Sequence, residues 1–218
     1  MSAREIGLFP LAAVLVPGEL MPLHIFEERY KHLVRDCEQE AQEFAILYAD
    51  DDGAREVGTT AEIVEVTERF DDGRLNLVVR GSEVVRVLEL TRGRSYITGR
   101  VEPVTEEDED SAREAASALA LYQKVAEATG NEPDPAVTED VEQMSYAIAA
   151  RVEFPAAEKL RLLEERSERA RLMVIVELLA RGLENLAVAA EIRDRAHTNG
   201  KVAPPEGSGG ATDTEDAG

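Results

Sequence analysis

The sequence predicts an α+β fold with a β-rich first half and an all-helical second half. Three observations carry that prediction. Up to Val104, apolar and β-branched residues come in short runs punctuated by Pro-Gly and Asp-Gly pairs. From Ser111 onward, apolar residues recur at helical spacing. Between the two lies Glu106-Glu107-Asp108-Glu109-Asp110, a run of acids that cannot be packed and reads as a solvated connector. The expected organisation is a β domain with one inserted helix over 5–105, a helical subdomain over 106–197 and a disordered acidic tail over 198–218.

Ile6 to Leu11 is the first apolar run, and Ala13 to Val16 follows before Pro17-Gly18 turns the chain. Phe26, Tyr30, Leu33, Val34, Cys37 and Ala41 share one face of a helix, with Glu27 and Glu28 in its first turn, where they suit the dipole. Cys37 lies on that apolar face and reads as a buried, inert thiol. Ala61 to Phe70 is a β-branched run ending at Asp71-Asp72-Gly73, after which Leu75, Leu77 and Val79 alternate at period two. Asp-Gly between such runs predicts a hairpin, because its residues tolerate positive φ. Gly81 inside the next apolar stretch marks a bulge or bend, and Tyr96 to Val104 supplies the last strand.

In the helical half, Ser111 and Glu114 have the spacing of a capping box, ahead of a face made by Leu119, Tyr122, Val125 and Ala126. Gly130 to Pro135 breaks that helix. Val141, Met144 and Ile148 mark a second, stopping near Phe154-Pro155, and a short segment around Leu160 and Leu163 follows. Ser167 caps a long last helix whose apolar positions are Leu172, Ile175, Val176, Leu179, Leu183 and Leu186.

Composition narrows the function. The 218 residues include 45 acids against 24 Lys and Arg, a net charge of −21. Such a surface repels phosphate backbones and anionic bilayers, so neither nucleic acid nor membrane is an expected partner. No apolar run approaches the ~20 residues of a membrane span, and the first residues lack a signal peptide's apolar core. Cys37 is the only cysteine, which suits a reducing, cytoplasmic setting.

Catalytic patterns are missing. There is no G-x-x-x-x-G-K-[ST] phosphate loop and no dinucleotide fingerprint, and Gly93-Arg94-Ser95 fails to complete a hydrolase elbow. Three histidines and one cysteine cannot form a common zinc cluster, and Asp50-Asp51-Asp52-Gly53 lacks the spacing of a calcium loop. No cofactor, metal or catalytic residue is therefore expected. His24, in Pro22-Leu23-His24-Ile25-Phe26, reads as a structural imidazole among apolar neighbours.

One ordered set of motifs is more specific. Phe9-Pro10-Leu11, Pro17-Gly18 and Pro22-Leu23-His24-Ile25-Phe26-Glu27-Glu28-Arg29-Tyr30 come first. Val57-Gly58-Thr59 with Ala61-Glu62-Ile63, Asp72-Gly73-Arg74-Leu75-Asn76-Leu77-Val78-Val79-Arg80-Gly81 and Tyr96 follow, then Leu162-Leu163-Glu164 and Glu168-Arg169. Together they resemble the N-terminal substrate-binding domain of Lon (La) proteases over about Ile6 to Leu186. The resemblance implies a PUA-like β pseudobarrel followed by a small α-helical bundle. It also implies capture of unfolded or peptide segments of other proteins. The Walker A ATPase and Ser-Lys peptidase modules of full-length Lon have no counterpart in this sequence, so a stand-alone bacterial module is expected. Glu28 stands where the family often has Pro, and Val84 and Val85 where it commonly has Arg and an aromatic.

Within the signature, Pro10, Pro17, Gly18, Pro22, Leu23, His24, Phe26, Glu27, Arg29, Tyr30, Gly58, Asp72, Gly73 and Gly81 are expected to preserve architecture. Leu23, Ile25, Phe26 and Tyr30 are read as core, and Glu27 and Arg29 as a polar closure of the corner. The peptide-binding residues are not identified at this level. The function that fits is a non-catalytic polypeptide-binding module, an adaptor to a protease system or a chaperone-like holder. RNA binding through a PUA-like fold, or an enzyme with an unrecognised pocket, are the competing readings.

Overall fold

A strand buries every second side chain, and the first half of the chain uses that rule to build a ring. The computed structural model describes residues 3–107, 110–138 and 141–199. Its strands are β1 (Arg4–Leu11), β2 (Leu20–Ile25), β3 (Phe44–Asp50), β4 (Gly53–Arg69), β5 (Leu75–Thr91) and β6 (Thr98–Pro103). They run in the order β2-β5-β4-β3-β1-β6, and β5 also pairs with β6. The long β5 serves both ends: its first part pairs with β2 and β4, its last part with β6. One bent strand thus closes a pseudobarrel, and the predicted α+β class holds. β1 lies parallel to β3 and antiparallel to β6, while the other pairings are antiparallel.

Helix α1 (Glu28–Glu40) stands over the ring and buries Tyr30, Leu33, Val34 and Cys37. They pack with Phe9, Phe44, Leu75, Leu77 and Val79 in one cluster. The helix ends at Ala41, at φ 49 in the left-handed region. Burial pushes the Cys37 thiol up to about 12, as expected of an inert core residue. Phe26, read as part of this face, lies outside the helix and is 60% exposed.

The second half forms α2 (Ala112–Thr129), α3 (Met144–Ala149), α4 (Ala156–Glu164) and α5 (Glu168–Asn199). Gly130 ends α2 at φ 73, as the Gly130–Pro135 break predicts. The second helix is shorter than its apolar spacing suggested and stops at Ala149. Ser167 does cap α5, its Oγ accepting from the Ala170 N–H at 3.1 Å. Ser111 does not close a capping box; the Ala112 N–H donates instead to Asp110 Oδ1 at 3.1 Å, and Glu114 pairs with Arg169. Helix α5 runs to Asn199, past the predicted start of the tail at 198, and 200–218 lie outside the described residues. Val14, Val16 and Val57 of the first half join Leu119, Ile148, Leu162, Leu172 and Ile175 in a second core. The halves are therefore packed through shared apolar side chains. No described helix is long and apolar enough to cross a membrane.

Candidate functional site

Much of the signature lies in turns, close backbone approaches and the core. The Glu19 N–H donates to Val16 O at 3.1 Å, closing a turn in which Pro17 fixes one φ and Gly18 takes +79°. Gly18 and Glu19 then bond Gly81 through both its carbonyl (2.8 Å) and its N–H (3.0 Å). A Cβ on Gly81 would lie 2.2 Å from Val16 O, so only glycine lets these backbones meet. Gly58 approaches Ile46 O in the same way, and Pro10 sits opposite Leu47 in the β1–β3 pairing. Leu23 and Tyr30 are buried, and the Tyr30 ring lies 4.2 Å from that of Phe9. Asp72 and Gly73 form the predicted hairpin tip, with Gly73 N–H donating to Phe70 O at 2.9 Å.

The rest of the signature faces water. In β2, Leu23 and Ile25 point inward, so period two sends Leu20, Pro22 and His24 outward. His24 is consequently exposed and not enclosed by its apolar neighbours in sequence. Its Nδ1 lies 2.6 Å from Asn76 Oδ1, while Asn76 Nδ2 donates to Glu68 Oε2 at 2.9 Å. Because Oδ1 is the accepting atom of that amide, His24 Nδ1 carries the proton. The imidazole stacks on Phe26 at 5.9 Å and meets the edge of Phe70 at 6.1 Å. Arg74 covers Phe70 at 4.9 Å. Glu27 and Arg29 pair with each other at 2.8 Å, and Arg29 lies over the Tyr30 ring. Arg74 engages Asp72 through its backbone N–H first and its side chain second, which holds that carboxyl below the usual range. Leu20, also on this face, is 55% exposed.

This corner is an aromatic platform with polar edges, fixed by Asn76 and the hairpin tip. Phe70, Glu68 and Leu20 are not singled out from the sequence, and Asn76 stands there only as part of the Asp72–Gly81 motif. The alternation around Leu23 and Ile25 was the available signal for Leu20, His24 and Phe26. β2 also pairs with β5 alone among the described residues, and Pro22 sits in it as edge strands permit.

Two arginine-centred networks complete the polar structure. Arg171 is 1% exposed and donates to Glu168, Ser145, Glu106 and the Glu165 carbonyl, with its guanidinium 4.4 Å from the centre of Tyr146. Burial opposes its charge, but Tyr146, Glu168 and Glu106 outweigh that and keep it firmly protonated. Glu106 is therefore bound to the bundle and is not part of a freely solvated connector; Asp108 and Glu109 lie outside the described residues. Arg94, 43% exposed in its side chain, donates to Asp36 at 3.0 Å, Glu40 at 3.4 Å and the Tyr96 hydroxyl at 2.9 Å. Among the described residues no three His, Cys, Asp or Glu side chains are grouped to hold a metal.

The model of the ATP-dependent protease La (LON) substrate-binding domain matches residues 5–181. A Lon protease 2 of Myxococcus xanthus is 30% identical over 209 residues, covering 87% of this chain and 25% of its own length. A Lon protease of Anaeromyxobacter dehalogenans is 29% identical over 197 residues, covering 83% and 23% respectively. This chain thus spans about a quarter of the length of those relatives. The crystal structure of a Lon N-terminal domain protein from Xanthomonas campestris superposes with TM-score 0.61 at 27% identity, over 81% of this chain and 98% of that one.

Proposed function

We propose, from the premise that the chain belongs to the ATP-dependent protease La (LON) substrate-binding domain family, that it is a non-catalytic, cytoplasmic module binding unfolded or peptide segments of other proteins. The matched segment is the substrate-binding domain, which in Lon relatives is a minor part of the chain. The observation that carries the reading is Phe26. A large aromatic side chain 60% open to water, supported by His24 and Phe70, is ready to cover the apolar side chain of an unfolded client. Unfolded segments expose such side chains in quantity, whereas folded proteins bury most of them. In this reading the corner grips clients, and the module presents them to a protease system or holds them against aggregation.

The test is fluorescence anisotropy with a labelled, reduced and carbamidomethylated protein as a permanently unfolded client. Micromolar binding that weakens about tenfold in Phe26→Ala is expected, as for loss of a central aromatic contact. Unchanged affinity in the variant would remove the corner; no binding by the parent chain would remove the function. Adding an ATP-dependent protease separates the two roles: an adaptor speeds client degradation, and a holder slows it.

A further inference from the structure

Strand β4 outruns its neighbour. Gly53–Ala61 pair with β3, whereas Val57–Arg69 pair with β5. β3 begins at Phe44, opposite Ala61, and the chain before it turns away through Ala41 into α1. Residues 62–69 are therefore bonded along one edge only among the described residues. Between this free edge and the end of α1 lies a groove of about 600 Å³.

Its floor is apolar. Ile63 and Val66 pack into the core beneath, and Val64, released by the register slip between Ile63 and Glu65, is 45% exposed. Its rim is acidic: Glu38 and Glu43 come from the helix side, Glu62 and Glu65 from the strand, and no lysine or arginine lines it. Arg69 holds Glu38 at 2.6 Å and Arg4 reaches Glu43 at 3.5 Å. No ion pair engages Glu62 or Glu65 among the described residues.

A bare strand edge is a template for another strand, and proteins guard such edges with charge and bulges. Here the guard has a sign. A second copy of this chain, at net charge −21, is repelled, while a basic segment is attracted. We propose that this edge takes an extended, cationic segment of a client polypeptide as an added strand. Its apolar side chains cover Ile63, Val64 and Val66, and its basic side chains meet the carboxylate rim. The proposal rests on the polypeptide-binding reading above and adds the chemistry of the client. The groove spans about five residues, or roughly 16 Å of strand, so binding is weak and falls with salt.

The probe is a labelled ten-residue peptide alternating Val and Lys, compared with Val–Ser and Val–Glu versions, on the full chain. Binding is read by anisotropy at low and high salt and mapped by amide hydrogen exchange. The expected result is binding of the Val–Lys peptide alone, slowed exchange across 62–68, and about tenfold weaker affinity in Glu62→Lys/Glu65→Lys. The milder Glu62→Gln/Glu65→Gln, with melting curves for both, ensures that a folded variant is compared. Equal binding of Val–Ser and Val–Lys, or protection confined to the Phe26 corner, would overturn this site and leave polypeptide binding standing. Failure of all three peptides and of the unfolded client would overturn both.

Discussion

Arg171 and Arg94 gather the same kinds of partner, two carboxylates and a tyrosine each, in opposite surroundings. Arg171 is 1% exposed and joins α3, α5 and the segment after β6; Arg94 is largely hydrated beside α1. Arg171 also holds its carboxylates more closely and meets the face of its tyrosine, whereas Arg94 bonds a tyrosine hydroxyl, but the surrounding medium sets most of the difference in weight. In the buried network, removing one charge strands the others away from water. In the hydrated one, water replaces a lost partner at little cost.

The largest test of that contrast is Arg171→Ala. It leaves Glu168 buried without its cation and is expected to destabilise by about 3–5 kcal/mol, read by urea unfolding. Arg171→Met/Glu168→Leu removes both charges and should recover much of that loss; a double variant no better than the single would contradict the argument.

Next in size is an alkaline transition beneath the hydrated network. Burial first, and neighbouring carboxylates second, push the Cys37 thiol up from 9.0 to about 12. Burial and then the bond to Asp36 raise the Tyr96 hydroxyl from 10.0 to about 12. Folding favours both neutral forms. The stability they lend is complete below the ordinary values and is lost as pH rises through about 12. Melting temperature should fall steeply between those limits, with Cys37 reacting with a thiol reagent only as the chain unfolds. Ready labelling of the native protein at pH 8 would refute this.

Arg94→Gln should cost far less than Arg171→Ala, and its effect should shrink further in high salt. The smallest expected stability change is that of Phe26→Ala, within about 0.5 kcal/mol of the parent, because the ring is already in water. A large loss there would show the platform to be structural.

The sequence made some elements legible and hid others for identifiable reasons. Helical spacing found the buried face of α1, and Asp72-Gly73 found the β4–β5 hairpin. β3 was not separately recognised, since Phe-Ala-Ile-Leu-Tyr is a continuous apolar run with no period to read. His24 is read from the apolarity of its neighbours, when the alternation of β2 decides which side it faces, and Phe26 is read onto the helix face although the chain is still extended there, one residue past β2 and before α1 begins at Glu28. Glu106 was read from the acids around it, yet its partner stands 65 residues further along. Such pairings are tertiary, and no local window contains them.

Strand β1 has a consequence in time. It lies between β3 and β6, with Leu8 opposite Ala45 and Arg4 opposite Val101. On the ribosome, β1 is made first but waits for both neighbours, and the ring cannot shut until β6 has emerged. Protease resistance of stalled nascent chains should therefore rise abruptly once that strand is free, and a gradual rise with length would contradict it. Until then β1 is an unsatisfied strand in a crowded cell.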